Sequence, residues 1–287
     1  MAPAFTDTLV FSSPLVDVGA FRCDVGHPCF RDSGPAEHDL FVFPRTSVII
    51  QHEHERPFVT NPNVVTMYNL GQAYERRPVS ARGDYCDWFG VDRSLALDVV
   101  RAFDPAIDER ADRPFRFSRV MSDAVTYAGQ RRLFDRIRSG AAPRLIVEET
   151  VVRLLERVVA QSYHGATIAP RAVSLRQRDA VHQAERLLSE RFEDALSLDD
   201  IARSVDMSPY QLCRAFRSAT GRTLGEYRQH LRIRSSLERI RETSDSITEI
   251  ALGLGYSSHS HFTYAFRREF GFAPSSIRSS APRRSTR

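Results

Sequence analysis

A repeat in the last third of the sequence constrains the fold of this chain more than any other feature. The first copy spans residues 197–228 and the second spans residues 246–278. The copies lie about fifty residues apart, and their apolar positions match in the same order, which chance similarity rarely produces. The matched pairs include Ile201 with Ile250, Ala202 with Ala251, Leu212 with Phe262, Phe216 with Phe266, and Gly221 with Gly271. Two equivalent structural units are therefore expected.

Each copy begins with residues typical of a helix N-cap. Ser197 is followed three residues later by Asp200, and Ser246 is followed in the same way by Glu249. Such pairs form capping boxes, in which each side chain accepts a hydrogen bond from the backbone N–H of the other residue. The apolar residues that follow recur at spacings of three and four, so a short amphipathic helix is predicted at the start of each unit.

A second helix is predicted after a tight turn in each copy. We expect Ser208 to cap this helix in the first copy and Ser257 to cap it in the second. Gly221 and Gly271 stand where the helices should end, since glycine readily adopts the left-handed conformation of a helix C-terminus. Helix, short turn and helix in this order is the geometry of a helix-turn-helix unit.

The outward face of each second helix is polar. It carries Tyr210, Cys213, Arg214 and Arg217 in the first copy, and Ser260, Thr263, Tyr264 and Arg267 in the second. A helix with such a face can enter the major groove and form hydrogen bonds with base edges. The same pattern also describes the solvated side of an ordinary helix. The recurrence of the face in both copies is what favours DNA binding.

The segment between the copies is predicted to form a single helix that joins the two units. Residues 223–243 form a long amphipathic pattern whose apolar side includes Leu224, Leu231 and Leu237. One helix over this segment would hold the units at a fixed separation. If both second helices enter the same face of a duplex, they should lie about 34 Å apart, which is one turn of DNA.

Charge is distributed unevenly along the chain. Residues 176–287 carry 19 arginines and 14 acidic residues, a net charge of +5, whereas the whole chain has a net charge of +4. A basic C-terminal part suggests a polyanionic partner there.

From residue 180 to residue 279 the sequence resembles the AraC/XylS family of transcription regulators. The resemblance is carried by the motif residues Ile201, Ala202, Ser208, Leu212, Arg214, Phe216 and Gly221, and by Ile250, Ala251, Gly255, Tyr256, Phe262, Phe266, Arg267, Gly271, Pro274 and Arg278. It implies base contacts from Tyr210, Cys213, Arg214, His259, Ser260, Thr263 and Tyr264. Two departures are Ile277, where the family usually has an aromatic residue, and Tyr264, where it often has arginine.

The N-terminal part has a different pattern. Short runs rich in Val, Ile, Phe and Tyr, separated by Pro and Gly, predict a small antiparallel barrel or sandwich over residues 9–95. The motif residues at 43–45 (FPR), 61–63 (NPN), 69–71 (NLG) and 83–86 (GDYC) also give residues 20–95 a looser resemblance to the cupin-like sensor barrel of the same family. This resemblance implies a pocket for a small-molecule effector. The expected fold class is therefore α+β, with a β-barrel followed by an all-α DNA-binding domain.

Helices are predicted between the barrel and the repeat. Residues 92–163 are expected to be helical, with loops near residues 104–105, 113–114 and 140–143. The helix is clearest over 143–163, where a broad apolar stripe includes Val147, Val151 and Leu155. The stripe could pack within the chain or against a partner subunit, and both interpretations stay open. The predicted boundaries are 1–95 for the barrel, 96–165 for a helical and dimerising segment, 166–175 for a linker, 176–280 for the DNA-binding domain with units at 198–219 and 247–270, and 281–287 for a basic tail.

Four thiol and imidazole groups in the barrel are candidate metal ligands. They are Cys23, His27, Cys29 and Cys86. Zinc prefers S and N ligands in tetrahedral sets, but the spacing of these residues is not that of a standard zinc knuckle, and a free Cys is commonly a small buried hydrophobe. His52 and His54 would lie on one side of a strand, although residues 52–55 are better interpreted as a polar turn. No metal and no cofactor is therefore predicted.

These patterns predict a sequence-specific DNA-binding regulator and not an enzyme. The family resemblance implies an activator, but the patterns themselves leave activation and repression of transcription open. The alternatives are a cupin-type metalloenzyme, and a metal or thiol sensor that uses Cys23, Cys29 and Cys86. The expected partners are double-stranded DNA and a second copy of the chain, with RNA polymerase and a small-molecule effector as further candidates.

Residues 1–21 lack the basic start of a signal peptide, and no apolar run is long enough to span a membrane. A cytoplasmic protein is expected.

Overall fold

A computed structural model describes residues 4–32, 34–167 and 174–279 of the 287-residue chain. The described residues form a β-rich N-terminal half and a helical C-terminal half, as the α+β expectation requires.

The N-terminal half is built from two antiparallel sheets. Its strands are β1 (Phe5–Ser12), β2 (Val16–Cys23), β3 (Asp39–Pro44), β4 (Val48–His52), β5 (Phe58–Thr60), β6 (Val64–Tyr68), β7 (Tyr74–Pro78), β8 (Asp84–Val91) and β9 (Arg119–Met121). The larger sheet has the order β1-β2-β8-β3-β6-β9, and the smaller has the order β5-β4-β7. Side chains of β1 to β8 together line a cavity. The N-terminal half therefore has the ligand-sized interior expected of a small barrel.

The segment after the barrel is helical, with one exception. Its helices are α1 (Arg93–Arg101), α2 (Ala124–Arg138) and α3 (Arg144–Thr167), and a 3₁₀ helix covers Pro105–Arg110. The exception is β9, which pairs with β6, so the prediction of helices and loops alone over 92–163 was wrong at this strand. Only three residues long, β9 has no periodicity for sequence reasoning to detect.

The apolar stripe of α3 packs inside the chain. Val147, Val151 and Leu155 are fully buried in one cluster with the aromatic residues Phe41 and Phe89 of the larger sheet. This stripe is consequently covered by the chain's own core, and it does not supply a face for a second subunit.

The predicted linker is shorter than expected. Helix α3 continues to Thr167, and Ser174 already caps α4 (Leu175–Glu190) with a capping box to Gln177. Both ends of the predicted 166–175 segment are therefore helical or capping. Residues 168–173 of the linker and the 281–287 tail lie outside the described residues.

The C-terminal half contains the two predicted helix-turn-helix units. Its remaining helices are α5 (Leu198–Ser204), α6 (Pro209–Thr220), α7 (Leu224–Glu242), α8 (Ile247–Gly253), α9 (His259–Phe270) and α10 (Ser275–Ser279). Helices α5 and α6 form the first unit, α8 and α9 form the second, and α7 joins them, as predicted. The repeat extends to the turns, because the first turn has the left-handed residue Asp206 and the second has left-handed Gly255 at the equivalent position.

The predicted helix ends are confirmed with one correction. Ser197 and Ser246 form capping boxes with Asp200 and Glu249, and Gly221 ends α6 in the left-handed conformation, as Gly271 ends α9. The N-cap of α9 is Ser258, whose hydroxyl accepts a hydrogen bond from the backbone N–H of His261.

Ser257 was the wrong prediction for that N-cap. It stands one residue earlier, and its hydroxyl is paired with Nδ1 of His261. Two adjacent serines offer the same capping chemistry, so the sequence could not separate them.

The two units and α7 share one hydrophobic core. Leu212 and Phe216 from α6, and Phe262 and Phe266 from α9, are fully buried in the same cluster as Leu231 of α7. Because α6 and α9 each bury their apolar side in this core, the opposite side of each helix faces outward.

We expect Leu212→Ala to lower the free energy of unfolding by about 2–5 kcal/mol, because truncation of a fully buried leucine leaves a cavity. Leu252→Ala is the matched control, since Leu252 lies in the same domain but is 55% exposed. The control should change stability by less than about 0.5 kcal/mol. Urea denaturation followed by circular dichroism measures both, and equal losses in the two variants would contradict the shared core.

Candidate nucleic-acid interface

Helix α6 presents the predicted reading face to solvent. Tyr210 is 70% exposed, and Cys213, Arg214 and Arg217 are also exposed. The Arg214 guanidinium lies 5.7 Å from the ring centre of Tyr210, which steadies both side chains on the surface of the helix. The four predicted residues of the first unit therefore share one accessible face.

Helix α9 presents the equivalent face with one difference. His259, Ser260 and Arg267 are exposed, and Tyr264 is 67% exposed. Thr263 is only half-buried, but its hydroxyl is covered by the protein and has no hydrogen-bond partner among the described residues. In this arrangement four of the five predicted side chains of the second unit are open to a ligand.

The arginines on these two helices are not neutralised by the protein. Within the described part of the chain, Arg214, Arg217 and Arg267 form no salt bridge, and the same holds for the neighbouring exposed Arg268. Most arginines elsewhere in this half do have acceptors, as Arg203 has Asp200 and Arg191 has Asp194. Arg268 was missed by sequence reasoning, because its position does not match the face of the first unit.

A buried arginine fixes the turn of the second unit. Arg232 of α7 donates to the carbonyl oxygens of Phe192, Glu193 and Asp194 after α4, and to that of Gly255 in the turn between α8 and α9. A Cβ on Gly255 would lie 2.6 Å from the Glu193 carbonyl oxygen, so a side chain here would displace the turn. The position of α9 thus depends on a close backbone approach that only glycine permits.

The barrel encloses a cavity of about 260 Å³. Its walls are mainly aromatic and aliphatic, and its polar lining includes the ion pair between Arg76 and Asp84, in which Arg76 Nε lies 2.6 Å from a carboxylate oxygen. Burial raises the pKa of the Asp84 carboxyl and raises that of the Cys86 thiol well above its usual value. Cys86 is consequently a neutral thiol in the cavity wall, and not a reactive thiolate.

The structure does not assemble the candidate metal ligands. No group of three or more His, Cys, Asp or Glu suited to a metal ion occurs among the described residues. Cys23 and Cys86 are buried free thiols, and Cys29 is half-buried. His27 instead caps the 3₁₀ helix Pro28–Phe30, where its Nδ1 accepts a hydrogen bond from the Cys29 backbone.

The two histidines within residues 52–55 differ in their exposure to solvent. His52 ends β4 and is fully buried, whereas His54 lies in the following turn with a left-handed backbone and an 85% exposed side chain. The interpretation as a polar turn is therefore confirmed for residues 53–55 and wrong for His52, which belongs to the buried strand, and the two imidazoles do not share a side. Burial lowers the pKa of His52 to about 4.

Comparison with known proteins places the similarity in the helical half. A sequence profile described as a helix-turn-helix domain matches residues 201–280. The regulatory protein SoxS of Salmonella typhimurium is 37% identical over 91 residues, which is 32% of this chain and 85% of SoxS. The regulator ArgR of Pseudomonas aeruginosa is 37% identical over 92 residues, and the activator RhaS of Escherichia fergusonii is 36% identical over 91. The matched region spans only 28% of ArgR and 33% of RhaS.

Solved structures give similar matches. An AraC-type transcriptional regulator from Chromobacterium violaceum is 31% identical and aligns with 38% of this chain and 96% of its own length, at a TM-score of 0.35. ToxT from Vibrio cholerae is 11% identical and aligns with 93% of this chain and 98% of its own length, at a TM-score of 0.36. At these TM-scores the description of the fold rests on the elements of the chain itself.

A repeated helix-turn-helix with two exposed, unneutralised second helices defines a DNA-binding transcription regulator. The chain belongs to the AraC/XylS family of such regulators. Within the described segments, no helix combines the length and apolar character needed to cross a membrane.

The buried His52 predicts acid sensitivity. The unfolded chain binds a proton at this imidazole near pH 6.5, whereas the folded protein does so only near pH 4. The unfolded state therefore gains protons first as the pH falls, and the free energy of unfolding should decrease by about 3 kcal/mol between these two values. Urea denaturation at a series of pH values measures this slope.

Two variants isolate the contribution of His52. In His52→Gln the pH slope between about 6.5 and 4 should be smaller than in the wild type, because this group no longer titrates. The exposed His54 makes His54→Gln the control, with an unchanged slope. A wild-type slope in His52→Gln would show that this imidazole is protonated in the folded protein as well.

Proposed function

We propose that the protein is an effector-responsive regulator that places α6 and α9 in successive major grooves of one duplex. The exposed, unneutralised arginines on both recognition helices are the observation that carries this proposal. A polyanion supplies the negative charge that the protein itself does not bring to these faces. Tyr210, Cys213 and Arg214 from α6, and His259, Ser260 and Tyr264 from α9, are the proposed base-reading residues.

Arg217, Arg267 and Arg268 are the proposed phosphate contacts. They lie toward the C-terminal ends of the recognition helices, away from the N-terminal turns that usually enter the groove in helix-turn-helix proteins. Thr263 is not among the proposed base-reading residues, because its hydroxyl is covered by the protein. We assign it a packing role within the domain. Phosphate contacts position the protein, and base contacts specify the sequence.

The cavity in the barrel is the proposed effector site. It is a concave space, partly open to solvent, whose aromatic and aliphatic walls carry a few polar groups, which are the properties of small-molecule sites. A change of transcription on effector binding, contact with RNA polymerase, dimerisation and a cytoplasmic location are the remaining parts of the proposal. Dimerisation rests on the family resemblance alone, because the α3 stripe is used by the chain's own core.

A metal-dependent enzyme is the weaker alternative. It requires a set of His, Cys, Asp or Glu ligands, and the described part of the barrel holds no such set. The barrel's free thiols at Cys23 and Cys86 have raised pKa values, which also disfavours a thiolate sensor.

We expect Arg214→Ala to weaken binding to a selected DNA site by about 1–3 kcal/mol and to relax the preference at one base position. The matched control is Arg138→Ala, which removes the same charge from an exposed position at the end of α2. In vitro selection from a random duplex library, followed by fluorescence anisotropy, gives both quantities. Retention of the full base preference in Arg214→Ala would remove Arg214 from the reading set.

Arg268→Ala should behave differently from Arg214→Ala. A lost phosphate contact weakens binding to all sequences about equally and reduces the slope of log K against log salt by about 1. Anisotropy titrations at several salt concentrations, with specific and scrambled duplexes, measure this slope. A change confined to one base position would assign Arg268 to reading, and an unchanged slope would place it outside the interface.

A further inference from the structure

The charges that surround the barrel cavity restrict what it can bind. Three carboxylates, those of Asp7, Glu37 and Asp84, line the cavity, whereas the only arginine in its wall is Arg76. His38 also lies at the wall, 3.8 Å from the carboxylate of Asp17. Negative groups therefore outnumber positive ones around the ligand space.

Arg76 is fully engaged within the protein. Its Nε pairs with Asp84, its Nη1 donates to the carbonyl oxygen of Phe30, and its guanidinium lies 4.6 Å from the ring centre of Phe21. A ligand carboxylate could bind Arg76 only by displacing Asp84, which would leave a buried carboxylate unpaired. That exchange is unfavourable because an unpaired buried charge is costly.

The rest of the wall suits a flat, uncharged molecule. Five aromatic side chains line the space, namely Phe5, Phe21, Tyr68, Tyr74 and Trp88. Hydroxyls at the floor supply the polar handle: Thr66 donates to Thr60 at 3.3 Å, which leaves the Thr60 hydroxyl proton for a ligand oxygen. Aromatic walls with a few placed polar groups favour ring systems with one hydrogen-bonding substituent.

We propose that the cavity binds a neutral aromatic molecule that carries a hydroxyl or carbonyl group, and that it rejects carboxylates. This ligand class rests on the cavity being the effector site, as proposed above. The volume of about 260 Å³ fits one small fused ring system and not a long chain.

A charge series on one ring system tests the ligand class. 2-Naphthol, 2-naphthoate and 2-naphthylmethylammonium are titrated into the full-length protein by isothermal calorimetry and thermal shift. We expect 2-naphthol to bind at least about tenfold more tightly than either ion. Naphthoate meets an arginine that is already paired, and the ammonium compound meets a buried Asp84 that is paired with this same Arg76, whereas Asp7 and Glu37 stand at solvent-exposed positions. Tighter binding of naphthoate or of the ammonium compound would overturn the neutral class.

Two threonine variants test whether the probes bind in the cavity. Thr60→Val should weaken 2-naphthol about fivefold through the loss of one hydrogen bond, and it should leave unsubstituted naphthalene unaffected. Thr8→Val, at an exposed position on β1, is the control. If naphthoate is the preferred probe and Thr60→Val weakens it, the cavity remains the effector site and the ligand class is wrong. If none of the probes binds, both the ligand class and the effector site are contradicted, whereas DNA binding by the same samples still tests the regulator assignment.

A second inference comes from contacts between the two halves. The hairpin of β5 and β6 connects the cavity to the DNA-binding half: Thr60 and Thr66 line the cavity, and the turn between the strands is Asn61, Pro62 and Asn63. Both asparagines are fully buried. They are covered because the turn inserts between α4 and α7.

The turn is held by hydrogen bonds to both helices. The Asn61 amide donates to the Ser189 hydroxyl at 2.9 Å and to the Tyr227 hydroxyl at 2.6 Å. The Asn63 amide donates to the backbone oxygen of Tyr227 at 2.8 Å. These bonds tie the floor of the cavity to the first turn of α7.

Arg234 carries the connection onward to a recognition helix. Its side chain is 0% exposed, and it donates to the carbonyl oxygens of Pro62 and Ser122 while pairing with Glu269 of α9 at 2.9 Å. Its guanidinium lies 4.7 Å from the ring centre of Tyr127. One buried cation thus contacts the hairpin turn, the α2 segment and the second recognition helix.

We infer that the β5–β6 hairpin transmits occupation of the cavity to α7 and, through Arg234, to α9. A displacement of Thr60 and Thr66 moves the adjoining turn, whose hydrogen bonds are to helices that position both recognition helices. Buried hydrogen bonds suit this role because breaking only some of them leaves unpaired polar groups away from water, which is energetically costly. The bonded residues are therefore expected to move together.

Hydrogen–deuterium exchange of the full chain tests the transmission. Asn61→Ala should accelerate exchange in α7 roughly fivefold, because it removes the hydrogen bonds to Ser189 and Tyr227 together with the acceptor for the Asn63 backbone N–H. Asn69→Ala is the control: Asn69 is also buried, and its side chain makes two hydrogen bonds, both to Phe115 within the N-terminal half. It should accelerate exchange near residue 115 and leave α7 unchanged. Unchanged α7 exchange in Asn61→Ala would overturn the inference.

A cavity substitution completes the test. Leu40→Phe, at a partly exposed position in the cavity wall, should alter α7 exchange in the wild-type and Asn69→Ala backgrounds, and should lose this effect in Asn61→Ala. Asn63→Ala, which removes only the hydrogen bond to the Tyr227 backbone oxygen, replaces Asn61→Ala if the latter does not fold. An effect of Leu40→Phe that persists without the asparagine bonds, or no effect in the wild type, would contradict transmission through the hairpin.

Discussion

Helix α7 is covered on every side along its middle, and the rest of the structure depends on this constraint. Every residue from 231 to 237 is buried. Leu231 and Leu237 join the core shared by the two helix-turn-helix units, while Arg234 and Ser236 are buried on other sides of the helix. A helix enclosed in this way cannot rotate without disturbing both units and the barrel at once. The position of α7 therefore determines how α6 and α9 are arranged relative to each other.

Enclosing the polar side of α7 requires acceptors for its arginines. A buried guanidinium without partners is strongly unfavourable, and the structure supplies backbone oxygens from four separate segments to Arg232 and Arg234. Carbonyl oxygens at segment ends lack partners within their own element, so they are well placed to accept these bonds. The same contacts that satisfy the arginines join the barrel to the DNA-binding half.

A second ionic group strengthens this junction. Glu238 of α7 is bonded to Arg45 of the barrel and to Arg131 of α2, and Arg131 also pairs with the fully buried Asp87 of β8. Asp87 follows Cys86, which lines the cavity on the opposite face of the same strand. The alternation of side chains along a strand thus places the cavity wall and the interdomain contact on adjacent residues. The wall of the cavity therefore lies close to the surface that positions α7.

The sequence by itself determined the helix-turn-helix units, their capping residues apart from the N-cap of α9, the bracing helix and the polar faces that point outward. These features depend on local periodicity and capping chemistry, and the repeat expresses them twice, as Ser197 with Asp200 and Ser246 with Glu249. Tertiary structure alone decided that the polar side of α7 is buried, that β9 closes onto β6, and that the α3 stripe packs internally. Those outcomes depend on contacts between residues far apart in the chain, such as Asn61 with Tyr227, for which no local pattern exists.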